Sequence, residues 1–251
     1  MLKVKLKMRY FIELAYKGTN FHGWQKQPDA ISVQEVLEKA LSLKLQEDIS
    51  VLGAGRTDTG VHASFFVAHF DSAKDFEIEK LIYGLNHLLG KEIAIYKIYS
   101  VNSNSHARFN AISRTYEYRI SLRKNPFFIE TTSFFNKNLD VDLMNRGGEL
   151  LLNYSDFTSF SKLHTDTKTN NCKISKAVWT HQNEFLIFTI TADRFLRNMV
   201  RSIVGTLIDL GEHKINIEDF KTIIESKDRR KAGQSVPPEG LFLTDIKYPK
   251  E

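Results

Sequence analysis

Gly53-Ala-Gly-Arg-Thr-Asp-Thr-Gly-Val-His-Ala63 lies between two apolar runs, Ile49 to Leu52 before it and Phe65 to Phe70 after it. Each run is short and bounded by turn residues, so each reads as a strand. A glycine-rich loop held between two strands presents a side chain rather than filling a core. The side chain it presents is Asp58, with Arg56 on one side and Gly60 on the other. No second carboxylate, thiol or Ser–His pair lies close by in sequence, so any chemistry the chain performs is assigned to Asp58.

Working outward, residues Lys7 to Tyr16 alternate, with Met8, Tyr10, Ile12, Leu14 and Tyr16 on one strand face. Ser32-Val-Gln-Glu35 has the spacing of a capping box, and Val33, Val36, Leu37, Ala40, Leu41 and Leu45 follow at helical intervals. A helix from about Ile78 to Leu89 and a strand from about Glu92 to Val101 complete a β-α-β-β-α-β order, that of a split βαβ unit. The remainder repeats the theme less clearly. Strands are predicted over Ile112–Leu122, Lys173–His181, Glu184–Ala192 and Leu241–Tyr248, and helices over Leu139–Leu152, Arg194–Leu210 and Ile217–Ser226. Gly147-Gly148 weakens the first of those helices by roughly 1 kcal/mol per glycine relative to alanine. Arg123 to Asn138 reads as a long loop. The spacing predicts an α+β chain of two similar sheet-and-helix halves, residues 1–105 and 106–251.

Composition narrows the function classes. A chain of 251 residues with 42% hydrophobic and 26% charged residues is that of a globular protein and not a disordered one. The formal charge of +5 tilts it towards polyanionic partners. One cysteine, Cys172, allows no internal disulfide and no CxxC pair. No apolar run is long enough for a signal peptide or a membrane span, so a cytoplasmic location is expected. The histidines are scattered, His164 among them in a polar loop, with no metal-ligand spacing.

Three constellations bear on chemistry. Gly53-x-Gly55 begins like a dinucleotide-binding loop, but the third glycine stands at 60 where that pattern needs 58, and no Gly-Lys-Ser/Thr follows. Taken alone, the loop is as readily a tight turn with a surface aspartate as a site. Tyr116 and Tyr118 share a strand face with Arg114; such a ring either fills a core or stacks under a nucleobase. Arg194, Arg197 and Arg201 fall at helical spacing beside a wide apolar arc. Such a stripe is ordinarily a solvated face, yet an arginine at a buried border needs an anion, and Asp58 is available as that partner.

In order along the chain, these segments resemble the tRNA pseudouridine synthase A family, which modifies uridines 38 to 40 in the anticodon arm. The residues that carry the resemblance are Phe21-His-Gly-Trp-Gln-Lys-Gln27 with Ser32-Val-Gln-Glu35, Gly55-Arg-Thr-Asp-Thr-Gly-Val-His62, and His106-Ala-Arg-Phe-Asn-Ala111 with Arg114-Thr-Tyr-Glu-Tyr118. Asp156-Phe-Thr-Ser-Phe160, Phe195 to Gly205 and Pro238-Glu-Gly-Leu241 continue it, so that it covers nearly the whole chain. Lys17, Asn198 and Val236 depart from residues common in the family.

The resemblance implies an isomerase with Asp58 as catalytic residue, Tyr116 stacked on the target uracil, Arg201 paired with the aspartate and Arg56 holding the flipped nucleotide open. It also implies a tRNA substrate, a homodimer, and halves whose sheets join into one largely antiparallel sheet with the cleft between them. Isomerisation breaks the N1–C1′ bond and rejoins the base through C5, with nothing oxidised and no group gained, so no cofactor and no metal is expected. Whether Asp58 attacks C1′, attacks C6 or removes a proton is left open by the sequence. Lys26, Arg108, Arg119, Lys162, Lys168, Arg229 and Arg230 are candidate phosphate contacts. A catalytically inactive RNA-binding module of the same fold is the rival expectation, and a nucleotide-dependent enzyme a weaker one.

Overall fold

Alternating apolar side chains set the first strand, β1 (Met8–Tyr16), in which Tyr10, Ile12, Leu14 and Tyr16 are all buried. The structure, a computed structural model, describes residues 7–162 and 168–249. The extreme N-terminus and His164 lie outside the described residues. After β1 come α1 (Val33–Leu45), β2 (Val51–Gly53), β3 (His62–Ser72), α2 (Ile78–Leu88) and β4 (Ile93–Val101). Then follow β5 (Ser113–Ser121), β6 (Ser133–Phe134), α3 (Val141–Leu151), β7 (Ile174–Gln182), β8 (Phe185–Ala192), α4 (Met199–Gly211), α5 (Ile217–Glu225) and β9 (Leu241–Lys247). The fold is α+β, and among the described residues no helix is long and apolar enough to cross a membrane.

The chain divides into two compact units, one of residues 1–112 with 243–251, the other of residues 113–242. Within the first, β1 lies between β3 and β4, and β3 pairs on its other side with β2, every pairing antiparallel. The order β4-β1-β3-β2 is that of the split βαβ unit predicted from the element order. Within the second, β8 lies between β5 and β7, again antiparallel. This β5-β8-β7 order repeats β1-β3-β2, so the two units share a topology that their sequences show only faintly. β6, too short to carry a periodic signal, runs parallel to β5 inside the stretch predicted as a loop.

Local chemistry accounts for the helix boundaries. Ser32 Oγ accepts the Glu35 N–H at the start of α1, while the Glu35 carboxylate turns to Lys39 instead of closing the capping box. Gly148 in α3 lies against β7, where a Cβ would come within 2.5 Å of the Ala177 carbonyl oxygen. Close approach of helix to strand therefore offsets the helix propensity lost there. The predicted helix over Arg194–Leu210 begins five residues later, at Met199, because Asn198 takes a left-handed conformation with φ of 65°. Arg194 and Arg197 consequently precede the helix, and the predicted arginine stripe with Arg201 does not form on it.

Candidate active site

The Asp58 loop is held from below by its own strands and from the side by Phe21-His-Gly-Trp24. Thr57, between Arg56 and Asp58, is buried, and its hydroxyl shares a hydrogen bond of 2.9 Å with the Tyr16 hydroxyl at the end of β1. The Thr57 carbonyl accepts the Trp24 N–H at 3.3 Å, and Gly60 N–H donates to the Phe21 carbonyl at 3.2 Å. Val61 N–H closes a turn on the Asp58 carbonyl at 3.1 Å, and Gly18 N–H donates to His62 Nδ1 at 2.9 Å. Backbone groups on both sides of Asp58 are thus committed, and its side chain is left half-buried beside an exposed Arg56.

Residues 21–24 also tie the loop to α1. Val33 and Gln34, whose N–H groups begin the helix, donate to the Gly23 and Trp24 carbonyls. Trp24 is 2% exposed and stacks on Phe66 of β3, with ring centroids 4.1 Å apart. Gly23 has φ of +82°, and a Cβ there would stand 2.3 Å from the Thr57 carbonyl oxygen. Only glycine fits both the left-handed backbone and that contact. The spacing of this motif from the Asp58 loop carries no periodic signal in the sequence, and only folding brings the two together.

In the other unit, Tyr116 and Tyr118 on β5 have parted roles. Tyr118 is fully buried, its hydroxyl donates to the Pro237 carbonyl at 3.0 Å, and burial holds its pKa well above that of a free tyrosine. Gly240 seats on its ring, so this tyrosine is core. Tyr116, two residues earlier on the same face, is half-buried and meets Phe195 edge-on at 5.1 Å. It is the ring of the two that is accessible to a planar ligand.

Arg201 sits in the first turn of α4 and is oriented by residues 232–236. Its Nε donates to the Val236 carbonyl at 2.7 Å, and Val236 N–H returns a bond to the Arg201 carbonyl at 3.1 Å. Arg229 ties the same segment from the far side, donating to the Ala232 and Gly233 carbonyls and to Ser235 Oγ. Asn198 Nδ2 donates to Ser235 Oγ as well, at 2.6 Å. Gly205 permits the segment to lie directly on α4, since a Cβ there would come within 1.8 Å of the Gln234 carbonyl oxygen. Two of the departures noted in the sequence, Asn198 and Val236, therefore belong to the framework that sets the Arg201 guanidinium. Arg56 and Asp58 belong to one loop of the first unit, and Tyr116 and Arg201 to the second.

A family profile described as tRNA pseudouridine synthase matches residues 14–110 and 152–249, which include Arg56, Asp58 and Arg201. The chain is 53% identical over 245 residues to tRNA pseudouridine synthase A of Bacteroides fragilis, covering 97% of each chain. It is 51% identical over 244 residues to the protein of that name from Parabacteroides distasonis, again with 97% of each covered. The one from Aliivibrio salmonicida is 40% identical over 246 residues, 97% of this chain and 94% of its own. The chain belongs to the tRNA pseudouridine synthase family. It is therefore an isomerase.

For a tRNA pseudouridine synthase, the candidate phosphate contacts differ in their commitments. Arg119 lies 4.0 Å over the Phe242 ring and pairs with Glu117 at 2.9 Å, and Arg229 is spent on residues 232–235. These two are structural. Lys26 makes only a 3.6 Å pair with Glu38, and Arg230, 82% exposed, pairs with its neighbour Asp228. Arg108, Lys162 and Lys168 are exposed. Among the described residues no group of three or more His, Cys, Asp or Glu side chains is placed to hold a metal ion.

Proposed function

We propose that the chain converts uridine to pseudouridine at positions 38–40 of the tRNA anticodon arm, with Asp58 as the catalytic carboxylate. The target nucleotide leaves the helical stack, at a cost of a few kcal/mol, before reaction. Arg56, exposed on the same loop, holds that swung-out state, and Tyr116 stacks on the uracil. Arg201 binds the substrate through a planar guanidinium pre-set by Val236. The glycosidic N1–C1′ bond breaks, the C5–C1′ bond forms, the hydrogen on C5 leaves to solvent as a proton, and N1 takes one up. No cofactor or metal enters that balance. The enzyme works as a cytoplasmic homodimer, with one tRNA contacting both subunits.

The observation that carries this reading is the hold on the Asp58 loop. A buried Tyr16–Thr57 hydrogen bond and the Gly23 seat fix the residue on one side of the carboxylate, and the Gly60 N–H bond fixes the other. Rigid backbone around a half-buried carboxylate is what positioning a nucleophile or base requires.

The test is tritium release from tRNA labelled at uracil C5, in buffer without ATP, nicotinamide or divalent metal, followed by mapping of the modified sites. Release with pseudouridine confined to positions 38–40 is expected. A strict need for any of those cofactors, or modification elsewhere in the tRNA, would contradict the reading.

A further inference from the structure

The segment Ser105-His-Ala-Arg-Phe-Asn-Ala111, which the proposed site does not use, forms a turn with an exposed aromatic ring on a heavily tethered backbone. Phe109 is 75% exposed. Among the described residues only Phe127 is a more exposed large apolar side chain, and what distinguishes Phe109 is the backbone that carries it. Ala107 N–H donates to the buried His69 Nδ1 at 3.1 Å, and the Tyr248 hydroxyl donates to the Ala107 carbonyl at 2.6 Å. Arg108 and Phe109 N–H groups both donate to His106 Nδ1, and Arg9 donates to the Ser105 carbonyl at 3.0 Å. Ile112 N–H donates to the Lys247 carbonyl at 2.8 Å. The ring projects from a fixed platform, so little further order is lost when something packs on it.

The surroundings select the occupant. His106 lies against Phe109 at 4.3 Å between ring centroids, and the Arg108 guanidinium carbon is 5.7 Å from the ring centre. Residues 102–112 contain no carboxylate. A cation beside an open aromatic face suits a base on a phosphate backbone better than an apolar protein surface. We propose that Phe109 is a stacking platform for an unpaired or terminal base of the tRNA, distinct from the target uridine. His69, which anchors the turn, is seven residues along β3 from His62, which adjoins the Asp58 loop. At the rise of a strand that separation is on the order of 20 Å. The platform therefore engages RNA away from the reacting nucleotide, and its contribution falls on KM rather than on kcat. This inference rests on the tRNA substrate named under Proposed function.

The experiment measures affinity of the full-length protein for a fluorescent tRNA transcript at fixed salt, with melting temperature and sedimentation velocity on each variant. Phe109→Ala is expected to bind roughly tenfold more weakly, Phe109→Trp to bind like the parent, and Phe109→Leu to resemble Ala because it keeps apolar area without a ring. Unchanged affinity in Phe109→Ala overturns the proposal. So does full affinity in Phe109→Leu, which reduces the contact to apolar area alone. A changed oligomeric state in Phe109→Ala overturns it in favour of a second copy of this chain on that face. If the parent protein neither binds nor modifies tRNA, the underlying functional reading fails instead, before any variant is compared.

Discussion

Thr57 faces inward to Tyr16 and Trp24, while on either side of it Arg56 is exposed and Asp58 half-buried. At the residue scale, then, a buried hydroxyl pair underlies the carboxylate proposed as the reactive group. Tyr16→Phe should cost about 1 kcal/mol of stability, since it leaves the Thr57 hydroxyl short of a partner. It should lower turnover more than that loss alone implies, because the loop loses its lower anchor. Urea unfolding and initial rates on the same preparation check this; equal rates in variant and parent would contradict it. Arg201→Lys keeps a charge but loses the Nε bond to Val236 that sets the guanidinium. Its kcat should fall by roughly a hundredfold with little change in melting temperature. A normal kcat would show that the fork geometry is not used.

At the element scale, strand periodicity was legible almost throughout, because alternation survives wherever one face of a strand is buried. The start of α4 was not: Phe195 and Leu196 stand at helical intervals from Met199, yet Asn198 turns left-handed and joins Ser235. Periodicity reports which side chains are buried, not the sign of φ. Nor could it separate Tyr116 from Tyr118, which occupy one face until the turn at Pro237 to Gly240 covers only the second. The Asp58 loop between two strands was legible from its glycines, whereas the hold exerted by residues 21–24 depends on tertiary contact. Gly23→Ala tests that hold. With φ of +82° and a carbonyl 2.3 Å from the new Cβ, the segment must shift. A stability loss of about 2 kcal/mol or more is expected, together with activity loss that persists at temperatures where the variant is fully folded. Parent-like activity in the folded variant would separate the segment from catalysis.

At the scale of the whole molecule, pH and salt probe different parts. Burial, with Arg9 and His106 adding to it, lowers the pKa of His69 to about 4, against the opposing pull of Asp71. The unfolded chain thus binds this proton more readily than the folded one. The stability held by neutral His69 is complete above the ordinary histidine value of about 6.5 and is lost as pH falls from there towards 4. Unfolding free energy should drop by on the order of 2 kcal/mol between pH 7 and pH 4.5, and by less in His69→Gln. An identical drop in both proteins would assign the effect to other groups. tRNA affinity should fall linearly on logarithmic axes with added salt. Charge reversal at exposed Arg230 should flatten that slope, and reversal at Lys26 should do the same.

On the function proposed, the Asp58 carboxylate performs the chemistry while its loop presents it. The most direct measurement is single-turnover tritium release from C5-labelled tRNA by Asp58→Asn, with enzyme in excess and tRNA binding confirmed in the same samples. The amide keeps the size and hydrogen-bonding reach of the side chain and removes its charge. Bound tRNA with no release above background is the result predicted here. Release at a rate near that of the parent protein would contradict it and place the chemistry on another residue.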